Sequence, residues 1–163
     1  MKRIFISGLI LLCLYTIGVF TFRVLDLSRE YEMEDNFTVV EADQLDDYLL
    51  ASSNGTIHYL LFYSNDSNDA IYLRENILST LDSESTINIY DTIIVVDFSD
   101  TDLIERSDLL NLKWQTEIPS FICVHIENNT IVTDSILSYD STSPLKASDV
   151  QKWLEETGVY FAS

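Results

Sequence analysis

The sequence predicts an α/β domain, a mixed sheet flanked by helices and preceded by one N-terminal transmembrane helix. Three observations predict it. Two apolar runs, Ile57–Tyr63 and residues 91–97, show little alternation, as expected of central strands buried on both faces. Segments with apolar residues at helical spacing stand between and around them. Residues 4–22 form a nineteen-residue stretch without a charge.

That first stretch is set apart from everything after it. Met1-Lys2-Arg3 is a short basic start, and Arg23 closes the apolar run. At about 1.5 Å per residue, a helix of this length spans most of a roughly 30 Å hydrocarbon core. Bulky residues stand at Ile17, Val19, Phe20 and Phe22, where a cleaved signal peptide has small ones. A retained signal anchor is therefore expected over residues 1–23. Ile10-Leu11-Leu12 before Cys13 does not suit lipidation. Lys2, Arg3 and the α-amino group favour the cytoplasmic side, which places the C-terminal domain outside the cytoplasm of a single-pass protein. Residues 24–36 read as a charged juxtamembrane spacer, and residues 37–163 as the folded domain.

The elements of that domain follow in order. Residues 37–40 (Phe-Thr-Val-Val) suit a short strand. Leu45, Tyr48 and Leu49 suggest a helix over 43–52, ended by the Asn54-Gly55 turn. The run at 57–63 is the first central strand. Ala70, Leu73, Ile77 and Leu81 make one helical stripe over 67–82, with Asp66 or Ser67 as its cap. Residues 91–97 form the second buried strand, and a helix is expected within 101–115, where Leu103, Leu109, Leu110, Leu112 and Trp114 supply apolar surface. Residues 120–126 and 130–138 read as a hairpin turned by Asn128-Asn129. Ser148 with Gln151 predicts a capping box for the last helix. Val150, Trp153 and Leu154 are its core face, and Gly158 stands where a C′ glycine belongs. The order is β-α-β-α-β-α-β-β-α, which gives two crossovers, a hairpin and a terminal helix.

Composition narrows function. The chain has 163 residues and 47% hydrophobic residues, enough for one real core. Three of its nine bases precede residue 24, leaving six bases against 27 acids, a net −21 on the remainder. Such a surface repels phosphate backbones, so nucleic-acid binding is disfavoured. Four glycines and no phosphate-loop motif leave no P-loop. No cofactor and no metal is implied. Asp97-Phe98-Ser99-Asp100-Thr101-Asp102 lacks the glycine and the distal glutamate of a calcium loop. His58 and His125 each stand alone on a strand and could share a metal only if those strands were neighbours. Asn36, Asn54, Asn65 and Asn128 head glycosylation sequons, which matter only in a eukaryotic secretory pathway.

A strand ending in Phe62-Tyr63-Ser64, a short polar loop, a helix and a distant Ile118-Pro119-Ser120-Phe121 resemble the thioredoxin superfamily. The resemblance covers about residues 37–160. Laid on without gaps, the two cysteines of that family's Cys-x-x-Cys fall on Ser67 and Ala70, and its supporting buried acid falls on Leu61. Nucleophile, resolving thiol and proton-transfer group are absent together, so the resemblance implies a redox-inactive member. It also implies that Pro119 is the family's cis-proline, and that the backbone of Ile118 can pair with an extended peptide. A candidate peptide-binding groove then comprises Tyr63, Asp66, Ser67, Ile118 and Pro119. The alternative is that the proline turn persists because the fold needs it. Asp66 and Asp69 are either acids favoured by the helix dipole or a negative rim that selects basic partners. Cys123, within an apolar strand, is either core packing or a thiol open to a partner.

These residues support an expectation of a membrane-tethered, extracytoplasmic domain that binds a protein or peptide as an accessory or scaffold. Similar membrane-anchored proteins stand beside bacterial peptide-export systems, which implies export or maturation of a secreted polypeptide. The alternative is a monothiol redox protein using Cys123 with a partner thiol. A third reading, a structural subunit packed through its membrane segment, has slight support, because Gly8 and Gly18 are too far apart for a close-packing motif.

Overall fold

The computed structural model describes residues 36–65, 68–84 and 87–159. Among these, no helix is long and apolar enough to cross a membrane. The anchor and most of the spacer lie outside the described residues, as do Asp66 and Ser67.

Five strands form one mixed sheet in the order β1-β3-β2-β4-β5. They are β1 (Thr38–Glu41), β2 (Ile57–Tyr63), β3 (Ile93–Asp97), β4 (Ser120–Glu127) and β5 (Thr130–Ser138). β1, β3 and β2 run parallel, while β4 is antiparallel to β2 and β5. Along β2, Leu61 and Tyr63 enter one core while Leu60 and Phe62 enter the other. Phe121 and Cys123 on β4 alternate with Ile122 and Val124 in the same way. This period of two is what makes the central runs apolar at every position.

Helices cover both faces. On the Leu61 face lie α2, over residues 68–84, and α5 (Ala147–Glu156). On the Leu60 face lie α1 (Leu45–Leu50) and α4, over residues 103–114. The predicted stripe is in place: Ala70, Leu73, Ile77 and Leu81 are all buried. Each leucine or isoleucine so buried contributes about 1.5–3 kcal/mol. The middle of α2, Leu73–Leu78, is π-helical, and this wider turn lets Leu78 join Ile77 in the core. Asn76 and Thr80 donate to the carbonyls of Tyr72 and Asn76 at 3.1 and 2.8 Å, competing with the regular ladder.

Several sequence expectations need correction. Asp91 and Thr92 belong to a helical turn, α3 (Ile89–Thr92), and not to the second central strand. Asn88 caps that turn, its side-chain oxygen accepting the Tyr90 N–H at 3.1 Å, while Thr92 donates back to the Asn88 carbonyl at 2.8 Å. Local side-chain bonds thus outcompete β pairing for two residues. The last helix does not begin at Ser148. Lys146 is its N-cap, and the Asp149 carboxylate accepts the Lys146 N–H at 2.9 Å. A lysine ammonium has no acceptor, so only this half of a capping box forms. Gly158, at φ +110°, is at C′ as expected. In α4, Leu109–Trp114 is π-helical, so Leu110 and Trp114 are buried while Leu112 is 76% exposed. Tyr48 is also exposed and packs edge-on against His58, with ring centroids 6.4 Å apart.

The hairpin follows its sequence. Asn128 and Asn129 adopt φ of 51° and 61°, the left-handed values that Asn tolerates in such turns.

Candidate functional site

The carboxyl ends of β2 and β3 meet the start of α2 and the segment leading into β4. Tyr63 ends β2, and its carbonyl accepts the Phe98 N–H at 2.9 Å, which ties the two strand ends together. The Tyr63 side chain is only 2% exposed. Burial raises the phenol's pKa, an effect partly offset by the Arg74 guanidinium that hydrogen-bonds it. Tyr63 therefore forms a floor beneath this corner and offers no exposed wall to a ligand.

Ala70 lies in the first turns of α2 and is buried against the same core as Leu61. A methyl group fills the space there, with no atom able to exchange a disulfide. Ser67 and Asp66 lie outside the described residues. Asp69 is half-buried, and its carboxylate accepts the Tyr139 phenol proton. Loss of water and the negative charge of Asp69 hold the Tyr139 phenol above its ordinary pKa. Tyr139 packs on Tyr72, ring centroids 5.8 Å apart, and the Tyr72 hydroxyl donates to the Leu145 carbonyl at 3.1 Å. Sequence reasoning missed this aromatic ridge. Its members sit nearly seventy residues apart, and no local spacing signals their meeting.

The Ile118–Pro119 peptide bond is cis. The Pro119 carbonyl accepts the Tyr139 N–H at 3.2 Å, so the proline turn is fastened to the segment after β5. Gln115 ends α4 in the left-handed conformation at φ 53°, which turns the chain towards this corner. Ile118 itself is half-exposed. Its N–H and C=O make no hydrogen bond among the described residues. An unpaired donor and acceptor on one residue is what an added extended strand engages.

Cys123 stands elsewhere. It is opposite Tyr59 in the β2–β4 register, four residues from Tyr63 and about 13 Å along the strand. The thiol is 2% exposed, and burial with the nearby Asp134 carboxylate pushes its pKa up to about 11. At pH 7 only about one such thiol in ten thousand is ionised, and the thiolate is the nucleophile.

The two histidines do lie on neighbouring strands. The antiparallel register sets His58 opposite Val124 and His125 opposite Ile57. They are one step out of phase, so they point to opposite faces and cannot share an ion. Two of the three acids at 97–102, Asp97 and Asp102, are engaged locally. Asp97 accepts the Ser99 N–H at 2.8 Å, and Asp102 caps α4 through the Ile104 and Glu105 N–H groups at 2.9 and 3.0 Å. Among the described residues no cluster of three metal-ligating side chains occurs.

The element order and the cis proline are those the thioredoxin resemblance implies. The fold is thioredoxin-like. Among solved structures, thioredoxin f2 of Chlamydomonas reinhardtii is similar at 14% identity, over 75% of this chain and 96% of that one, with a TM-score of 0.48. Thioredoxin of Trichomonas vaginalis is similar at 16% identity, over 75% and 97%, with a TM-score of 0.47. A thioredoxin of Thermus thermophilus is similar at 13% identity, over 76% and 88%, with a TM-score of 0.48. No protein-family description and no curated protein matches the sequence.

Proposed function

We propose that this protein is a membrane-tethered, extracytoplasmic thioredoxin-like domain without dithiol redox activity. It holds an extended polypeptide beside Pro119 as an accessory in export or maturation of a secreted chain. One observation carries the binding reading: the half-exposed Ile118 has both backbone hydrogen-bonding groups unpaired among the described residues, next to the cis proline. The absence of redox chemistry is supported by Ala70 at the resolving position and by a Cys123 that is buried, remote and un-ionised. The burial of Cys123 also argues against the monothiol alternative. The tether rests on the uncharged run at 4–22 and the basic residues before it.

The test is peptide capture by the full chain in detergent. Extended peptides should shift the Ile118 amide resonance and slow its hydrogen exchange. Ile118→Pro removes the donor while suiting the extended backbone before Pro119, and it should abolish capture with the circular dichroism unchanged. Capture that survives Ile118→Pro at full strength refutes the groove. Membrane fractionation tests the tether, since deleting residues 1–35 should release the domain.

A further inference from the structure

At the opposite end of the same sheet face, a cleft of about 580 Å³ opens between the start of β2, the β4–β5 pair and the last turn of α5. Its lining includes Ile57, Cys123, His125, Asp134, Trp153 and Glu156. The size is that of a small-ligand site. Three local features open it. β2 begins before the helices cover it, leaving Ile57 50% exposed. Gly55, at φ +85°, puts no side chain at the mouth. A β-bulge opposite Cys123/Val124 makes Asp134 the extra residue of β5, since Cys123 faces Ser135 and Val124 faces Thr133.

Bulges re-aim side chains, and this one brings both Asp134 carboxylate oxygens to the His125 Nδ1, at 2.9 and 2.8 Å. In the neutral imidazole, Nδ1 then carries the proton and Nε2 keeps its lone pair. Nε2 has no partner among the described residues. Trp153 turns its indole N–H to Ser135 at 2.9 Å, so the ring is held in place as an apolar wall. Glu156 adds a second carboxylate, and among the described residues neither lysine nor arginine lines the cleft. Lys152 reaches Glu156 at 3.5 Å, but both are exposed and water screens such a pair, so a ligand can displace it.

The cleft is rich in acceptors, poor in donors, anionic and part apolar. Anions are repelled. The favoured ligand is a cation with several N–H donors and a hydrocarbon stem to lie along Ile57 and Trp153. We propose that this cleft binds an organic cation, a guanidinium or primary ammonium group on an apolar stem. The net −21 on residues 24–163 draws such groups towards it. The group belongs either to a basic residue of a peptide or to a free amine. The cleft is remote from Pro119, so the proposal stands or falls independently of the groove.

The experiment titrates the full chain in detergent with agmatine and, separately, with an end-blocked Gly-Arg-Gly peptide, following the imidazole nitrogen resonances. Saturable shifts at His125 with His58 unmoved are expected. Stronger binding of the peptide identifies a peptide side chain as the source, and stronger binding of agmatine identifies a free amine. Glu156→Gln should weaken binding about ten-fold, the loss of one charge-assisted contact. Glu156 is exposed at the end of α5, so this variant keeps the fold, and Asp134→Asn provides a second reading. Three results overturn the proposal: no saturation by either probe at millimolar concentration, equal binding of uncharged butylurea, or unchanged affinity in Glu156→Gln.

Discussion

His58 is half-buried beside Tyr48, and its buried Nε2 has no hydrogen-bond partner among the described residues. Burial lowers its pKa below the ordinary 6.5. The unfolded chain therefore binds a proton at this residue more readily than the folded one. The sign follows from linkage: stability is full above about pH 6.5 and falls as pH drops below it. Urea titrations at pH 7.5 and 5.5 should show this loss, and His58→Gln should shrink it. Cys123 acts at the other end of the scale. Its folded pKa of about 11 lies above the ordinary 9.0, so stability is full below about pH 9 and is lost as pH rises towards 11. The raised phenols of Tyr59, Tyr63 and Tyr139 add to the alkaline loss in the same direction. At pH 7, a thiol reagent should label Cys123 only after denaturant is added. Rapid native labelling would revive the monothiol reading.

At the scale of elements, caps and stripes bear the stability. Asp149 closes the start of α5 by accepting the Lys146 N–H, and Asp149→Ala should cost about 1 kcal/mol in chemical denaturation. Leu73 is fully buried in the first turn of the π-helical part of α2. Leu73→Ala should cost about 2–5 kcal/mol, the range for an emptied core position. Leu112 lies in the other π-helical segment but is exposed, so Leu112→Ala should change stability by less than about 0.5 kcal/mol. The contrast was not legible beforehand. A 3.6-residue period places Leu109, Leu110 and Leu112 around one broad face, and the wider π turn rotates Leu112 off it. Asp91 and Thr92 depart from the strand expected at 91–97 for a related reason. Both sit in an apolar-looking run, and only the Asn88 cap diverts them into a helical turn.

For the whole molecule, charge is the governing quantity. With −21 on residues 24–163, folding brings like charges together, and salt screens them. Thermal melts should rise with sodium chloride between about 0.02 and 0.5 M, where the Debye length shrinks well below the protein's dimensions. A fall in melting temperature would show that specific ion pairs outweigh the general repulsion. Salt should also weaken cation binding at the proposed cleft site, while backbone-mediated binding at the proposed groove beside Pro119 should be less affected.

Local sequence carries the order of the five strands and the four longer helices, the α2 stripe, the Asn128-Asn129 turn and the lack of paired cysteines. These depend on local periodicity, turn chemistry and composition, which neighbouring residues carry. Tertiary structure decided what depends on register and on distant partners. The β2–β4 register sent His58 and His125 to opposite faces and set Cys123 opposite Tyr59, four residues from Tyr63. A single bulged residue joined Asp134 to His125. Packing after β5 set Tyr139 on Asp69 and Tyr72 beside the proline turn. Such pairings cost chain entropy that only the assembled core offsets, so no short stretch of sequence encodes them.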